Sequence, residues 1–331
     1  MKIKVKNKKH LKDIIANEMQ LNGKNCNLNY IDTCLITDMS ELFKSSHFNG
    51  DISQWDTSNV VNMSGMFQNS KFNGDISVWD TSSIQDMSYM FYRSAFNTDV
   101  SRWSVQNVKS MKHMFDGSLF NGDISKWNVS KLKNMNLMFY ESQFNGDLSK
   151  WDVSQVEDMG STFEDSQFNS DISQWNTSSV KNMENMFRGS QFNGDISHWD
   201  VSNVKDMSNM FRESQFSGDI SQWNTTNVEN MSSMFSHSLF NEDISQWDVS
   251  NVKDMGFMFF QSKFTGDLTH WRIINLCLME NIFTHSGATE PYWAKIENGQ
   301  ERRLAVEAYH TQKLLNDSIQ GQDKNIKALK I

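Results

Sequence analysis

The chain of 331 residues is 38% hydrophobic and 12% aromatic, only 21% charged, and carries a formal net charge of −9. This composition excludes a disordered chain, because it holds enough apolar residues to build a core and too few charges to prevent one. The acidic balance argues against a nucleic-acid partner, since the phosphates would be repelled.

Residues 1–30 form a basic N-terminal segment with seven lysines and two acidic residues. The stretch KIKV alternates as a short strand does. The stretch KKHLKDIIANEMQLNG follows the pattern of an amphipathic helix that ends at Gly23. We predict that this strand and helix form an N-terminal cap over the repeats that follow.

This segment has no apolar run typical of a signal peptide, and the chain nowhere approaches the ~18 consecutive apolar residues of a membrane span. The sequence therefore predicts no membrane insertion and a cytoplasmic location, with the cell surface or secretion as the alternative. Cys26, Cys34 and Cys277 are odd in number and widely separated, so no disulfide framework is expected.

Residues 31–287 repeat with a period of 24 residues. A methionine column from Met39 to Met279 and a phenylalanine column from Phe43 to Phe283 keep this register throughout. A second phenylalanine column and a tryptophan column seven residues later contain Phe48, Phe72, Phe96, Phe120, Phe144, Phe168, Phe192, Phe216, Phe240 and Phe264, and Trp55, Trp79, Trp103, Trp127, Trp151, Trp175, Trp199, Trp223, Trp247 and Trp271. A period of this length is typical of a solenoid.

Within one repeat, residues 51–53 alternate between polar and apolar side chains as a short strand does. The apolar side chains of residues 60–67 fall on one stripe of a short helix, and Ser58 suits its N-cap. We therefore predict an α/β repeat solenoid of about ten coils. Each coil would contain a short parallel β-strand and a short helix, with helical caps at both ends.

Residues 288–331 form the C-terminal segment. Pro291 is the only proline in the chain and marks the boundary with the repeats. The stretch ERRLAVEAYHTQKLLNDSI predicts a helix that caps the last coil, and we expect the closing GQDKNIKALKI to fray.

Aspartate recurs at one position of every repeat. The column contains Asp51, Asp75, Asp99, Asp123, Asp147, Asp171, Asp195, Asp219, Asp243 and Asp267. Like charges about 4.8 Å apart repel by about 1 kcal/mol per pair in water. Either each carboxylate accepts hydrogen bonds from nearby amides and serine hydroxyls, or the column binds calcium. We favour the first interpretation and predict no metal site, because the glycine-rich nonapeptide of calcium-binding β-rolls is absent.

No group of residues has the spacing of a catalytic site. His198 and His270 share a column but lie three coils apart, roughly 14 Å by strand spacing. The chain contains no phosphate-binding loop, zinc-protease motif or nucleophile elbow. The tryptophan and methionine columns are expected in the core. We therefore predict that the protein is not an enzyme and uses no cofactor.

One exposed column varies from repeat to repeat, as expected of a scaffold that presents a surface on a constant frame. It places Arg102, Lys126 and Lys150 beside aspartates that include Asp123 and Asp147. These basic side chains either recognise a charged partner or neutralise the aspartates in place. We include all five residues in the predicted partner-binding site.

A second variable column is expected on the outer face of the predicted short helices. It includes Tyr92 and Tyr140, a residue type that often anchors protein interfaces. We add both tyrosines to the predicted partner-binding site.

The signature FNGDISxWDxSxVxxMxxMFxxS recurs from Phe48 to Ser286 and resembles the repeat of BspA-like leucine-rich-repeat proteins, which include bacterial surface proteins and mycoplasma lipoproteins. The resemblance implies a leucine-rich-repeat-like solenoid from a bacterium, with a role in adhesion or protein binding. We expect a non-enzymatic scaffold that binds another protein, and self-association is compatible with this function. The alternatives are a surface adhesin and a protein that binds calcium or another lattice through the aspartate and serine face.

Overall fold

The computed structural model describes residues 2–274 and 277–328, with side chains described as far as Ile319. Strand β1 (Ile3–Lys4) pairs in parallel with strand β2 (Ile31–Asp32), so that Ile3 faces Ile31. Between them lies helix α1 (Lys8–Asn22). A short 3₁₀ helix (Tyr292–Lys295) and helix α2 (Gly299–Ala328) follow the repeats.

The repeats between Asp32 and Tyr292 are joined by parallel bridges between residues 24 positions apart, from Asp38 with Asn62 to Asp254 with Leu278. Around each bridge, alternate amides donate to the next repeat. The amide of Met63 donates to the carbonyl of Asp86 at 3.0 Å, and the amide of Phe67 donates to the carbonyl of Met90 at 3.0 Å. We call this hydrogen-bonded side of the repeats, residues 62–69 and their equivalents, the ladder face.

The strand predicted at residues 51–53 lies elsewhere. Among the described residues, only the first pair, Asn27 with Asp51, forms a bridge there. In later repeats the aspartate side chain binds the amide two residues on, and the amide of Trp79 donates to the carbonyl of Ile76 at 3.2 Å. This turn uses the amides that a strand would have offered to its neighbour, so the parallel pairing forms on the ladder face instead.

The short helix predicted over residues 60–67 is also absent, since the described residues between Asp32 and Tyr292 form no helix. Gly65 has φ +61° and Asn69 has φ +53°, and positive φ recurs at both positions in every repeat. A left-handed residue interrupts a right-handed helix, and the amides pair between repeats rather than four residues back. The apolar side chains of this segment are nevertheless buried. They face the core as predicted, although the backbone that carries them is not helical.

Like side chains stack on like side chains through the core. The rings of Trp55 and Trp79 lie 6.5 Å apart and 1° from parallel, and those of Phe43 and Phe67 lie 5.6 Å apart. The indole N–H of Trp79 donates to the carbonyl of Ile52 in the preceding repeat at 3.1 Å. The predicted burial of the tryptophan column is thus explained by both packing and a hydrogen bond that joins neighbouring repeats.

Segments without the repeat cover both ends of the stack. Helix α1 buries Leu11 and Ile15, and the ammonium group of Lys8 lies 3.1 Å from the carboxylate of Asp38 in the first repeat. At the other end, the ring of Trp293 stacks on Trp271 at 6.4 Å. The packing of Leu11 and Ile15 at one end and of Trp293 at the other removes from water an apolar surface that a terminal repeat would otherwise expose.

Helix α2 continues to Ala328, past the end predicted near Ile319. The fraying expected from residue 321 stays a prediction, and residues 329–331 lie outside the described residues. One glycine within a helix costs only about 1 kcal/mol, and the polar residues after it have adequate helix propensity. No helix in the described part of the chain is long and apolar enough to cross a lipid bilayer.

Candidate functional site

The aspartate column closes a turn in each repeat. The amide of Ser125 donates to Asp123 at 2.9 Å, and the amide of Ser149 donates to Asp147 at 2.8 Å. The serine hydroxyl and amide, in that order, hold the pKa of both carboxyls below their ordinary value, because these bonds favour the charged form. Among the described residues, no group of three or more His, Cys, Asp or Glu side chains is arranged to hold a metal ion.

Arg102, Lys126 and Lys150 lie exposed beside this column. Lys126 lowers the pKa of Asp123 as a smaller cause, after the hydrogen bonds from Ser125. None of the three cations forms an ion pair within the part of the chain that the structure describes. Their charges are therefore only partly compensated and are accessible to a partner.

Tyr92 and Tyr140 lie on the ladder face rather than on a helix. Tyr92 packs edge-on against His113, with ring centres 6.0 Å apart, and the guanidinium group of Arg93 lies 5.4 Å from the centre of the Tyr92 ring. Burial, then the hydrogen bond to Glu141, raises the pKa of Tyr140 to about 12. No hydrogen bond, ion pair or ring contact among the described residues joins these tyrosines to Arg102, Lys126 or Lys150. The predicted site therefore divides between the ladder face and the surface beside the aspartate column.

The ladder face also contains a polar cluster that the sequence analysis missed. His113 and Asp116 are in contact at 2.5 Å, and the second carboxylate oxygen of Asp116 is buried without a partner. Arg93 reaches Glu141 two repeats away at 3.6 Å. The sequence contains a signal for this ion pair. Arg93, Gly117 and Glu141 are equivalent residues of three successive repeats, so a glycine separates two side chains of opposite charge. A Cβ there would lie 2.9 Å from Cγ of Arg93.

A lysine column next to the core valines was missed as well. It contains Lys109, Lys133, Lys181, Lys205 and Lys253, with glutamates between some of them. Glu157 lies 3.7 Å from Lys133 and 2.6 Å from Lys181. In the neighbouring column, the ammonium group of Lys131 donates to the side-chain carbonyl of Asn107 at 2.8 Å. Reading this column through all repeats would have revealed it, since glutamates interrupt the lysines only from Glu157 onward.

A family model matches the chain. It carries the description "Mycoplasma protein of unknown function, DUF285" and matches residues 9–121, 118–219 and 188–293. No curated protein and no solved structure matches. The three tandem matches show a repeat protein without distinguishing the BspA-like type, and they cover most of the chain. The protein therefore belongs to this bacterial family of repeat proteins of unknown function.

Proposed function

We propose that the protein is a non-enzymatic scaffold that binds another protein, built as a solenoid of 24-residue coils. The observation that carries this proposal is the contrast between inner and outer columns. The stacked phenylalanine, tryptophan and methionine columns are buried and nearly uniform, whereas exposed positions differ between repeats. A uniform frame with a variable surface is how repeat proteins recognise partners.

The predicted partner-binding residues fall in one part of the stack. The aromatic and ionic contacts of Tyr92, Arg93 and His113 lie on the ladder face. Arg102, Lys126 and Lys150 lie beside the aspartates in the same group of repeats. Two surfaces of different chemistry within a few repeats support recognition of one partner at this region.

A retention experiment tests this function. The full chain is immobilised and exposed to extract of the source bacterium, in parallel with the variant Lys126→Glu/Lys150→Glu. The matched control, Lys205→Glu/Lys253→Glu, makes the same change of charge at other exposed lysines. We expect a protein retained by the wild type and the control and lost by the first variant. Retention of no protein above the level on bare matrix would contradict the scaffold proposal.

We also propose that the family is related to BspA-like leucine-rich repeats, on the support of the signature between Phe48 and Ser286. The same resemblance supports adhesion at the cell surface as a second form of this function. Treatment of intact cells with protease distinguishes the two, because a surface adhesin would be cleaved while an internal scaffold would not.

A further inference from the structure

Three exposed lysines, Lys109, Lys131 and Lys133, line one cavity. The same run of repeats carries three more exposed cations beside the aspartate column, and we name all six the basic patch: Arg102, Lys109, Lys126, Lys131, Lys133 and Lys150. We propose that the basic patch docks a short acidic segment of a partner protein. This inference rests on the proposed scaffold function and adds the chemistry of the partner.

The charge balance changes at this part of the array. Residues 99–157 contain seven basic and seven acidic residues, whereas the whole chain has a net charge of −9. At the position of Asp56 and Asp80, two successive repeats of this part hold the neutral Ser104 and Asn128, and the next holds Asp152. This part of the array therefore carries no net charge on an otherwise acidic protein, which lowers the repulsion that an acidic segment would meet there.

The cations of the basic patch are weakly paired. Lys109 donates to a neutral amide oxygen of Gln85 at 3.3 Å, and Lys133 lies 3.7 Å from Glu157. By contrast, Lys181 lies 2.6 Å from Glu157. Because the patch lacks comparably close carboxylate partners, an incoming carboxylate finds cations whose charge is still available.

The surface between these lysines is concave. A cavity of about 350 Å³ is lined by Lys109, Lys131 and Lys133 together with Ser130, Ser154 and other polar residues, among them Asp152. The serine hydroxyls add neutral donors to the ammonium groups. This volume is near the lower end for ligand sites and suits one or two carboxylate side chains.

The surroundings favour a short peptide over an extended polyanion. Arg102 and Lys150 lie two repeats apart, about 10 Å by strand spacing. Asp99, Asp123 and Asp147 border the patch, and the rest of the array is acidic. A nucleic acid or an anionic membrane would bring its charge against these carboxylates, whereas a segment of a few residues would contact only the patch.

A titration of the full chain with a fluorescein-labelled oligoglutamate peptide, followed by anisotropy at low salt, tests the proposal. We expect saturable binding that Lys126→Gln/Lys131→Gln/Lys133→Gln weakens by about tenfold or more. The control, Lys181→Gln/Lys205→Gln/Lys253→Gln, removes the same charge from exposed lysines elsewhere and should weaken binding by no more than about twofold. Both variants change only exposed side chains, and circular dichroism establishes that they fold.

Several outcomes would overturn the inference. These are no binding to the wild type, equal weakening by the two variants, or tighter binding of a thymidine oligonucleotide of equal charge or of phosphatidylserine vesicles. The scaffold function is judged separately by the retention experiment. A partner that is retained regardless of the basic patch would refute this inference and leave the scaffold function standing.

Discussion

Two positions of every repeat hold residues in the left-handed region of backbone space. Glycine meets this requirement at Gly65, Gly117 and Gly189, where φ lies between 58° and 62°. Other repeats place bulky residues there, including Leu137 with φ 56° and Phe257 with φ 58°. Such residues cost about 1 kcal/mol or more each. The bonds to the neighbouring repeats impose this conformation whichever residue is present.

Gln261 allows a test of this strain, because it is exposed and has φ 53°. Asparagine tolerates the left-handed region better and retains the amide group. We expect Gln261→Asn to raise the free energy of unfolding by about 0.5 to 1 kcal/mol, measured by urea denaturation. Gln143→Asn is the control at an exposed position without positive φ, and an equal gain there would contradict the explanation.

The indole hydrogen bond is the second effect at this scale. Trp151→Phe leaves the carbonyl of Ile124 without the indole donor that it now has at 3.1 Å. We expect a loss of about 2 to 4 kcal/mol, from the lost hydrogen bond and the reduced volume, while the carbonyl of Ile124 keeps its bond from the amide of Trp127 at 3.1 Å. Met138→Leu, a buried change that nearly conserves volume, should cost less than about 1.5 kcal/mol. Thermal denaturation of the two variants compares these losses, and equal losses would be inconsistent with a role for the hydrogen bond.

At the scale of the repeated element, each repeat contains a turn in which an aspartate carboxylate accepts a hydrogen bond from the amide two residues on. Hydrogen bonds from the serine or threonine two residues on are the main cause of a lowered pKa for Asp51, Asp75, Asp99, Asp123, Asp147, Asp195, Asp219, Asp243 and Asp267. A folded pKa below the unfolded value stabilises the fold above that unfolded value, about 4. This stabilisation is lost as the pH falls through the folded pKa.

Asparagine closes the same kind of turn without titrating, since the amide of Ser130 donates to the side-chain oxygen of Asn128 at 3.1 Å. We therefore expect Asp123→Asn/Asp147→Asn to lose less stability than the wild type between about pH 6 and pH 3. The midpoint of urea denaturation at each pH measures this loss. Burial raises the pKa of Glu164 and Glu184 on the ladder face, which acts in the opposite direction but equally in both proteins. An identical acid-induced loss in both would contradict the role of these turns.

The same turns predict the response to calcium. Since the aspartates already accept bonds from serine, we expect calcium or a chelator to shift the melting temperature by no more than about 1 °C. A ladder of bound ions would instead raise the midpoint strongly with ion concentration. A large calcium-dependent rise in a thermal scan would favour the lattice-binding alternative and contradict this expectation.

At the scale of the whole molecule, each repeat depends mainly on its neighbours, because rings and backbone bonds connect residues about 24 positions apart. Deletion of residues 169–192 removes one period and lets Phe168 take the place of Phe192 against Phe216. We expect this variant to stay folded with cooperative melting by circular dichroism.

Deletion of residues 169–180, half a period, is the matched control. It would place polar side chains in the core columns, and we expect it to be unfolded or aggregated. If both deletions behaved alike, the stacking of equivalent residues would not be what stabilises the chain.

The sequence alone determined the period, the register and the inward-facing residues, because repetition of large apolar side chains every 24 positions reports burial directly. It also indicated the aspartate turns and the capping segments. These features depend on side-chain type and spacing, which are readable in one dimension.

Only the tertiary structure decided which backbone carries the pattern. The stripe at residues 60–67 suits a helix by spacing, but its amides bind the adjacent repeat and Gly65 takes a positive φ. Likewise, Tyr92 and Arg102 are ten residues apart yet lie on separate surfaces, while Lys109, Lys131 and Lys133 line one cavity. These hydrogen bonds and contacts join residues of different repeats, which are far apart in the chain. Local propensity could therefore not specify them.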